Sequence, residues 1–189
     1  MELYHYGVKG MHWGVRRYQN PDGTRTKEGK EREVYKRRAA NAYSTKKDVD
    51  EIIQTMSKDE KDKLGLSPTH NDYLTLDDGK YVIKRILSKD GDTPIAFFDL
   101  FDDVSGINTA LGVRADDKYR NKGYAKKVAK DGMDWYERNK SKFNNKPVYW
   151  GVRVDNKASI KIAKDLGFEI EPDSLSDDKK WINYVKNYK

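Results

Sequence analysis

Leu111-Gly112-Val113-Arg114-Ala115-Asp116-Asp117-Lys118-Tyr119-Arg120-Asn121-Lys122-Gly123-Tyr124-Ala125 is a short apolar strand that runs into a charged turn and at once into a helix. The first N–H groups of a helix have no intrahelical acceptor, and the helix dipole is positive there. With Arg120 and Lys122 beside them, these donors form an anion site suited to a pyrophosphate. Gly123 lets the backbone approach a phosphate closely.

A second block follows one helix and one strand downstream. Val148-Tyr149-Trp150-Gly151-Val152-Arg153-Val154 has the make-up of a buried strand. Asp155-Asn156-Lys157-Ala158-Ser159 then opens a helix that closes in Asp165-Leu166-Gly167-Phe168. One Gly-containing turn is weak evidence; two blocks in this order and spacing are strong.

Together the Arg-x-x-Gly-x-Ala turn at 120–125 and the strand–Asn-x-x-Ser–helix–Leu-Gly-Phe order at 148–168 resemble the GNAT-type N-acetyltransferases. The resemblance covers residues 46–189 and implies a mixed α/β (α+β) fold, a central sheet flanked by helices, with acetyl-coenzyme A as cosubstrate and a primary amine as acceptor. It implies that backbone amides of Asn121, Lys122, Gly123, Tyr124 and Ala125 hold the diphosphate, with Arg120 and Lys122 adding charge. It also implies a bulge at Leu111, Gly112 and Val113, whose backbone N–H faces the thioester carbonyl. The pantetheine arm would lie between this strand and the one at 149–154, touching Asn156 and Ser159.

The acid and the base are marked less well. Many family members carry a Tyr, which protonates the leaving thiolate, where this chain has Ala163. Ser159, an ordered water or Tyr184 are the substitutes. For the base, Asp99, Asp102 and Asp103 lie near one strand end, and Asp102 and Asp103 are the candidates carried forward. The loops at 67–76 and 101–107 are expected to shape the acceptor site.

Composition sets the outer bounds. The chain of 189 residues fits one domain plus an extension. No apolar run is long enough to span a membrane. Cysteine is absent, which excludes a disulfide framework, a catalytic thiol and thiolate metal ligation. His5, His12 and His70 are scattered without metal-ligand spacing, so no metal is expected. Residues 1–47 hold 12 Lys and Arg against 5 Asp and Glu, whereas residues 48–189 hold 26 of each, so the whole net charge of +7 belongs to the N-terminal arm. That places a basic leader and helix at 1–45 ahead of the domain at 46–189.

The arm is itself distinctive. Residues 5–23, His5-Tyr6-Gly7-Val8-Lys9-Gly10-Met11-His12-Trp13-Gly14-Val15-Arg16-Arg17-Tyr18-Gln19-Asn20-Pro21-Asp22-Gly23, resemble a leader of many phage and prophage proteins, often head- or virion-associated. The resemblance implies a phage- or prophage-encoded protein, in the cytoplasm of the bacterial host or in the virion. A basic, aromatic segment at 1–47 suits a phage structural protein or a nucleic acid as partner. Two other readings stand beside the enzyme: an inactive scaffold docked through its leader, and a nucleic-acid-binding module.

Local patterns predict the rest. Asn20-Pro21-Asp22-Gly23 reads as a turn, and Thr26 as the cap of a basic helix at 27–43. Ser44 or Thr45 is expected to cap one helix over 46–64, with Val49, Ile52, Ile53 and Met56 on its apolar face. Strands are expected at 80–87 and 94–101 around an Asp90-Gly91 hairpin turn, then at 107–114, 147–154 and 181–188, with helices at 123–139 and 157–166.

Overall fold

The computed structural model describes residues 19–27, 29–30, 45–66 and 81–189. Most of the proposed leader and basic helix, and most of the 67–76 loop, lie outside the described residues. The Asn20 turn does form: Gly23 has φ +82° and its N–H donates to Asn20 O. Thr26 caps as expected, its Oγ1 accepting from Gly29 N at 3.0 Å.

The domain orders as α1 (Lys46–Gln54), α2 (Lys58–Leu64), β1 (Tyr81–Asp90), β2 (Thr93–Asp102), β3 (Ile107–Val113), α3 (Tyr124–Asn139), a 3-10 turn, β4 (Val148–Arg153), α4 (Lys157–Asp165), β5 (Glu169–Ile170) and β6 (Trp181–Lys186). The six strands form one mixed sheet in the order β1-β2-β3-β4-β6-β5. Only β3 and β4 run parallel, and they pair at just two positions, Ile107 with Val148 and Asn108 with Tyr149. Past that point the strands part.

Both faces of β2 are covered, so its apolar run is continuous. Ala96, Phe98 and Leu100 belong to the main core with Val128, Met133 and Tyr136 of α3. Phe97 faces the other way, against Val49, Ile52 and Ile53 of α1. Gly132 makes the α3 packing possible: a Cβ there would lie 2.3 Å from the Phe98 ring.

The single helix expected over 46–64 is two helices. Ser57 starts the second with a capping box, its Oγ accepting from Glu60 N while Glu60 accepts from Ser57 N. Gly65, at φ +65°, ends it. Thr45 precedes α1 without a side-chain capping bond, and its hydroxyl accepts from Arg85 instead. The hairpin turn falls where expected, with Gly91 at φ +56°, and the strands run right up to it.

Two strand expectations need correction. The β2–β3 ladder has no register shift through Leu111, Gly112 and Val113, so no bulge forms there against β2. The irregularities lie between β1 and β2, at Val82/Lys84 and at Ser88/Lys89. Gly112 is required for another reason: a Cβ would meet Phe97 Cε1 at 2.3 Å. Asp99 is not a solvated strand end. It is fully buried and chelated by Arg85, Nε to Oδ1 at 2.7 Å and Nη2 to Oδ2 at 2.6 Å, which removes it as a base.

Candidate active site

The parting of β3 from β4 opens a cleft of about 630 Å³. Its walls are the end of β3 from Leu111 to Ala115, the turn at 119–123, the first turns of α3 and α4, and α2 with Glu60, Lys63 and Leu64. Arg120, Asn121, Lys122, Gly123, Tyr124, Ala125, Asn156 and Ser159 all line it, so the structure gathers the cofactor-binding candidates in one place.

The turn owes its shape to two left-handed residues, Asn121 at φ +56° and Gly123 at φ +80°. Asparagine tolerates this region better than other side chains, and glycine adopts it freely. The consequence is a run of outward donors. No N–H from residue 121 to residue 126 meets a backbone or side-chain acceptor among the described residues. The turn is held from behind by Tyr119, 4% exposed, whose hydroxyl donates to Asp90 Oδ2 at 3.2 Å. Ala115 N donates to Thr55 Oγ1 at 2.8 Å and ties it to the end of α1.

Arg120 differs from the expectation. Its Nε donates to the Ala115 carbonyl and its Nη2 pairs with Glu60 of α2. The guanidinium thus binds the turn to α2, and much of its charge is answered within the protein. Ser57 N–H, and after it Arg120, hold the Glu60 carboxyl below its ordinary range. Lys122 has no ion pair among the described residues and carries its charge into the cleft.

Asn156 caps α4, accepting from Ser159 N at 3.1 Å, and its Nδ2 reaches the Lys63 carbonyl at 3.4 Å. Ser159 is 6% exposed, and its Oγ accepts from Trp150 Nε1 at 3.0 Å. Indole is a donor only, so the serine proton is left for another acceptor. Ser159 lines both the large cleft and a space of about 20 Å³ at the point where the strands part. Ala163 and Tyr184 are buried in the main core.

Beyond that narrow space lies a second chamber of about 350 Å³, walled by Phe101, Asp103, Asn108, Ala110, Trp181 and Asn183. The narrow space shares Leu64, Thr109, Ala110 and Gly151 with this chamber, and Lys63, Leu64, Leu111 and Ser159 with the cleft. Cleft, passage and chamber are therefore continuous. Asp103 lines the chamber, with Oδ1 accepting from Val104 N and Oδ2 from Asn108 Nδ2. Asp102 instead pairs with Lys146 Nζ at 2.7 Å. The two adjacent carboxylates are thus separated in role: one faces the chamber, the other ties β2 to the start of β4.

Sequence reasoning missed α2 as a wall, Trp150 as the partner of Ser159, and Trp181 and Asn183 as chamber residues. The Ser57-x-x-Glu60 capping box was a readable sign of a second helix start. Nothing local marked Asn183.

A mixed sheet that parts beside a turn of unmatched amides, with a second chamber across the gap, defines a protein built to hold an anionic ligand against a second one. The chain belongs to the acetyltransferase (GNAT) family, whose model matches residues 47–168. Residues 1–20 match a family of unknown function, DUF7211. No curated protein matches the chain.

Among solved structures, the chain is similar to a putative streptothricin acetyltransferase from Bacillus anthracis in complex with acetyl coenzyme A. The identity is 18%, covering 67% of this chain and 72% of that one, with a TM-score of 0.49. It is also similar to an N-acetyltransferase from Staphylococcus aureus, at 15% identity over 56% and 67% of the two chains, with a TM-score of 0.45. A third is an acetyltransferase from Agrobacterium tumefaciens, at 16% identity over 58% of this chain and 62% of that one, with a TM-score of 0.44. The chain thus spans less than two thirds of the Agrobacterium protein's length. No helix among the described residues is long and apolar enough to cross a membrane.

Proposed function

We propose that this protein transfers the acetyl group of acetyl-coenzyme A to a primary amine. The observation that carries the reading is the run of unmatched amides at 121–126, set at the mouth of the gap between β3 and β4. Bare N–H groups at the start of a sixteen-residue helix fit a diphosphate, and Lys122 adds a cation. The cleft then leads an extended arm past Asn156 and Ser159 to the passage.

The amine enters from the chamber, and its nitrogen bonds to the acetyl carbon as the carbon–sulfur bond breaks. A proton leaves the amine through water toward Asp103. The electron pair goes to sulfur, which accepts a hydrogen bond from Ser159 O–H in place of the missing tyrosine. Asp102 is not part of this step.

Calorimetric titration of the full chain with acetyl-coenzyme A, followed by mass analysis of amines incubated with both, tests the reading. Binding and a gain of one acetyl group are expected; absence of binding refutes it. Binding without transfer to any amine would favour the inactive scaffold, which Ala163 recommends. The leader extends the proposal: on its likeness to phage and prophage proteins we read it as a docking peptide of a phage-encoded enzyme. Removal of residues 1–23 is expected to leave transfer intact. A steep salt dependence of DNA binding that disappears with residues 1–47 would identify the arm as a nucleic-acid contact instead.

A further inference from the structure

Asn183 stands at the inner end of the chamber, where nothing in the family signature points. It lies on β6 opposite Gly151 of β4. Its side chain overhangs that glycine: a Cβ at position 151 would sit 3.3 Å from Asn183 Oδ1. The other end of the amide is already engaged, with Nδ2 donating to Glu171 Oε2 at 3.2 Å. An ionised carboxylate only accepts, so the nitrogen faces Glu171 and the oxygen faces Gly151.

The backbone is pinned as well. Asn183 N donates to Ser174 Oγ at 3.2 Å, and Glu171 N donates to Asn183 O at 3.0 Å. No donor reaches Oδ1 among the described residues. A fixed acceptor therefore overlooks Gly151, the residue shared by the chamber and the passage.

The passage sets a size limit. At about 20 Å³ it holds little more than one water-sized group. Its chamber side is built from Ala110 and Gly151, the two smallest side chains available. A –CH2–NH2 end fits through such an opening; a carbon bearing a further substituent beside the nitrogen does not.

We infer that the acceptor is a primary amine at the end of an unbranched methylene chain, and that Asn183 Oδ1 orients it by accepting one of its N–H groups. This rests on the acetyl-transfer reading. Amines branched at the α-carbon, peptide N-termini among them, are excluded by the same opening. Asn183 acts as a binding residue for the amine, while Glu171 positions it.

The test uses the full chain, acetyl-coenzyme A, and n-butylamine against sec-butylamine, which differ only in branching beside the nitrogen. Thiol release is followed. The wild-type protein is expected to favour n-butylamine by at least about tenfold in kcat/KM, the scale of one misplaced methyl in a fitted pocket. Asn183→Ala is expected to lower kcat/KM for n-butylamine about tenfold, chiefly through KM, by losing one hydrogen bond. Its affinity for acetyl-coenzyme A by calorimetry should be unchanged. Glu171→Ala, which lets the amide turn over, should give a smaller loss of the same kind. Gly151→Ala should close the passage to n-butylamine while still binding acetyl-coenzyme A.

Equal rates on the two amines overturn the size limit, and a wild-type KM in Asn183→Ala overturns its role. Acetyl-coenzyme A binding with no transfer to either amine overturns the inference alone. Absence of acetyl-coenzyme A binding overturns the acetyl-transfer reading beneath it.

Discussion

Gly112→Ala puts a methyl group where the cleft wall has no room for one. Its Cβ would fall 2.3 Å from Phe97 Cε1, 2.9 Å from Cζ and 3.1 Å from Cδ1. Carbon atoms rest about 3.5–4.0 Å apart, so the overlap at Cε1 exceeds an ångström. The ring has no free side: Phe97 is fully buried and backs onto Val49, Ile52 and Ile53 of α1. Relief requires moving the ring, and with it the helix. Overpacking of a core costs about 1–3 kcal/mol, and an unyielding neighbour puts this variant near the upper end. At about 2–4 °C per kcal/mol for a domain of this size, the midpoint should fall by roughly 6–12 °C. The informative partner is Phe97→Leu, which removes the clashing ring carbons at its own cost of about 1–2 kcal/mol. In the double variant the new methyl occupies space the ring has left. The two changes should therefore couple by at least about 1 kcal/mol, in the direction of rescue. Urea denaturation of the four proteins, followed by circular dichroism, measures the cycle. A neutral Gly112→Ala, or two losses that simply add, would refute the packing argument and return Gly112 to a purely conformational role.

Asp99→Ala should be among the most destabilising single changes, by about 3–5 kcal/mol, because it leaves the Arg85 charge, 7% exposed, buried without its carboxylate; Arg85→Met added to Asp99→Ala should restore part of the denaturation midpoint. Ser159→Ala and Trp150→Phe should both lower kcat, by about tenfold, with acetyl-coenzyme A affinity held, since the indole N–H is what turns the serine proton toward the passage; a loss of affinity at constant kcat would show that the hydroxyl holds the arm instead. Glu60, whose carboxyl is depressed first by Ser57 N–H and then by Arg120, contributes stability that is complete above its ordinary value of 4.5 and is lost as pH falls through the depressed one. Below about pH 4.5 the denaturation midpoint of Glu60→Gln should therefore fall less steeply with pH than that of the wild type, and parallel curves would sink this assignment.

The segment from Leu111 to Phe168 was legible because its signals are local. A glycine at positive φ, a charged turn, an Asn cap and a Leu-Gly-Phe stop each act within a few residues of where they stand. What escaped notice depends on partners far away in sequence. Arg85 is the clearest case. Counting outward from the Gly91 turn, where Asp90 faces Thr93, would set Arg85 opposite Phe98. The irregularity at Ser88/Lys89 adds one residue on β2 and sets Arg85 opposite Asp99 instead. The second, at Val82/Lys84, returns the register to its original count. A one-residue slip exchanges the two faces of a strand, and no residue in either strand announces it. Asp99 was therefore read as a strand end facing water. The division of Asp102 from Asp103 was hidden in the same way, since it depends on Lys146 arriving from 44 residues downstream.

The shape of the site rests to an unusual degree on α2, a seven-residue helix with no fully buried side chain. Its core contribution is slight, Leu64 packing partly against the α1 cluster. It is held instead by its ends and by the walls it joins. Ser57 and Glu60 close its start, and Gly65 closes its finish. Glu60 holds Arg120 of the amide turn, the Lys63 carbonyl holds Asn156 of α4, and Gly65 lies under the Trp181 ring of the chamber, where a Cβ would come within 3.0 Å. The three contacts reach three different parts of one continuous space. A helix this short is marginal by itself, so the order of α2 and the order of the site are a single equilibrium. Any ligand that rests on the turn at 119–123 and on α2 together adds its binding energy to the folded side of that equilibrium. Filling the cleft thereby firms the wall of the amine chamber, which shares Leu64 with it. An amine then meets a formed chamber once the first substrate is bound, and occupancy of the two spaces is coupled in that order.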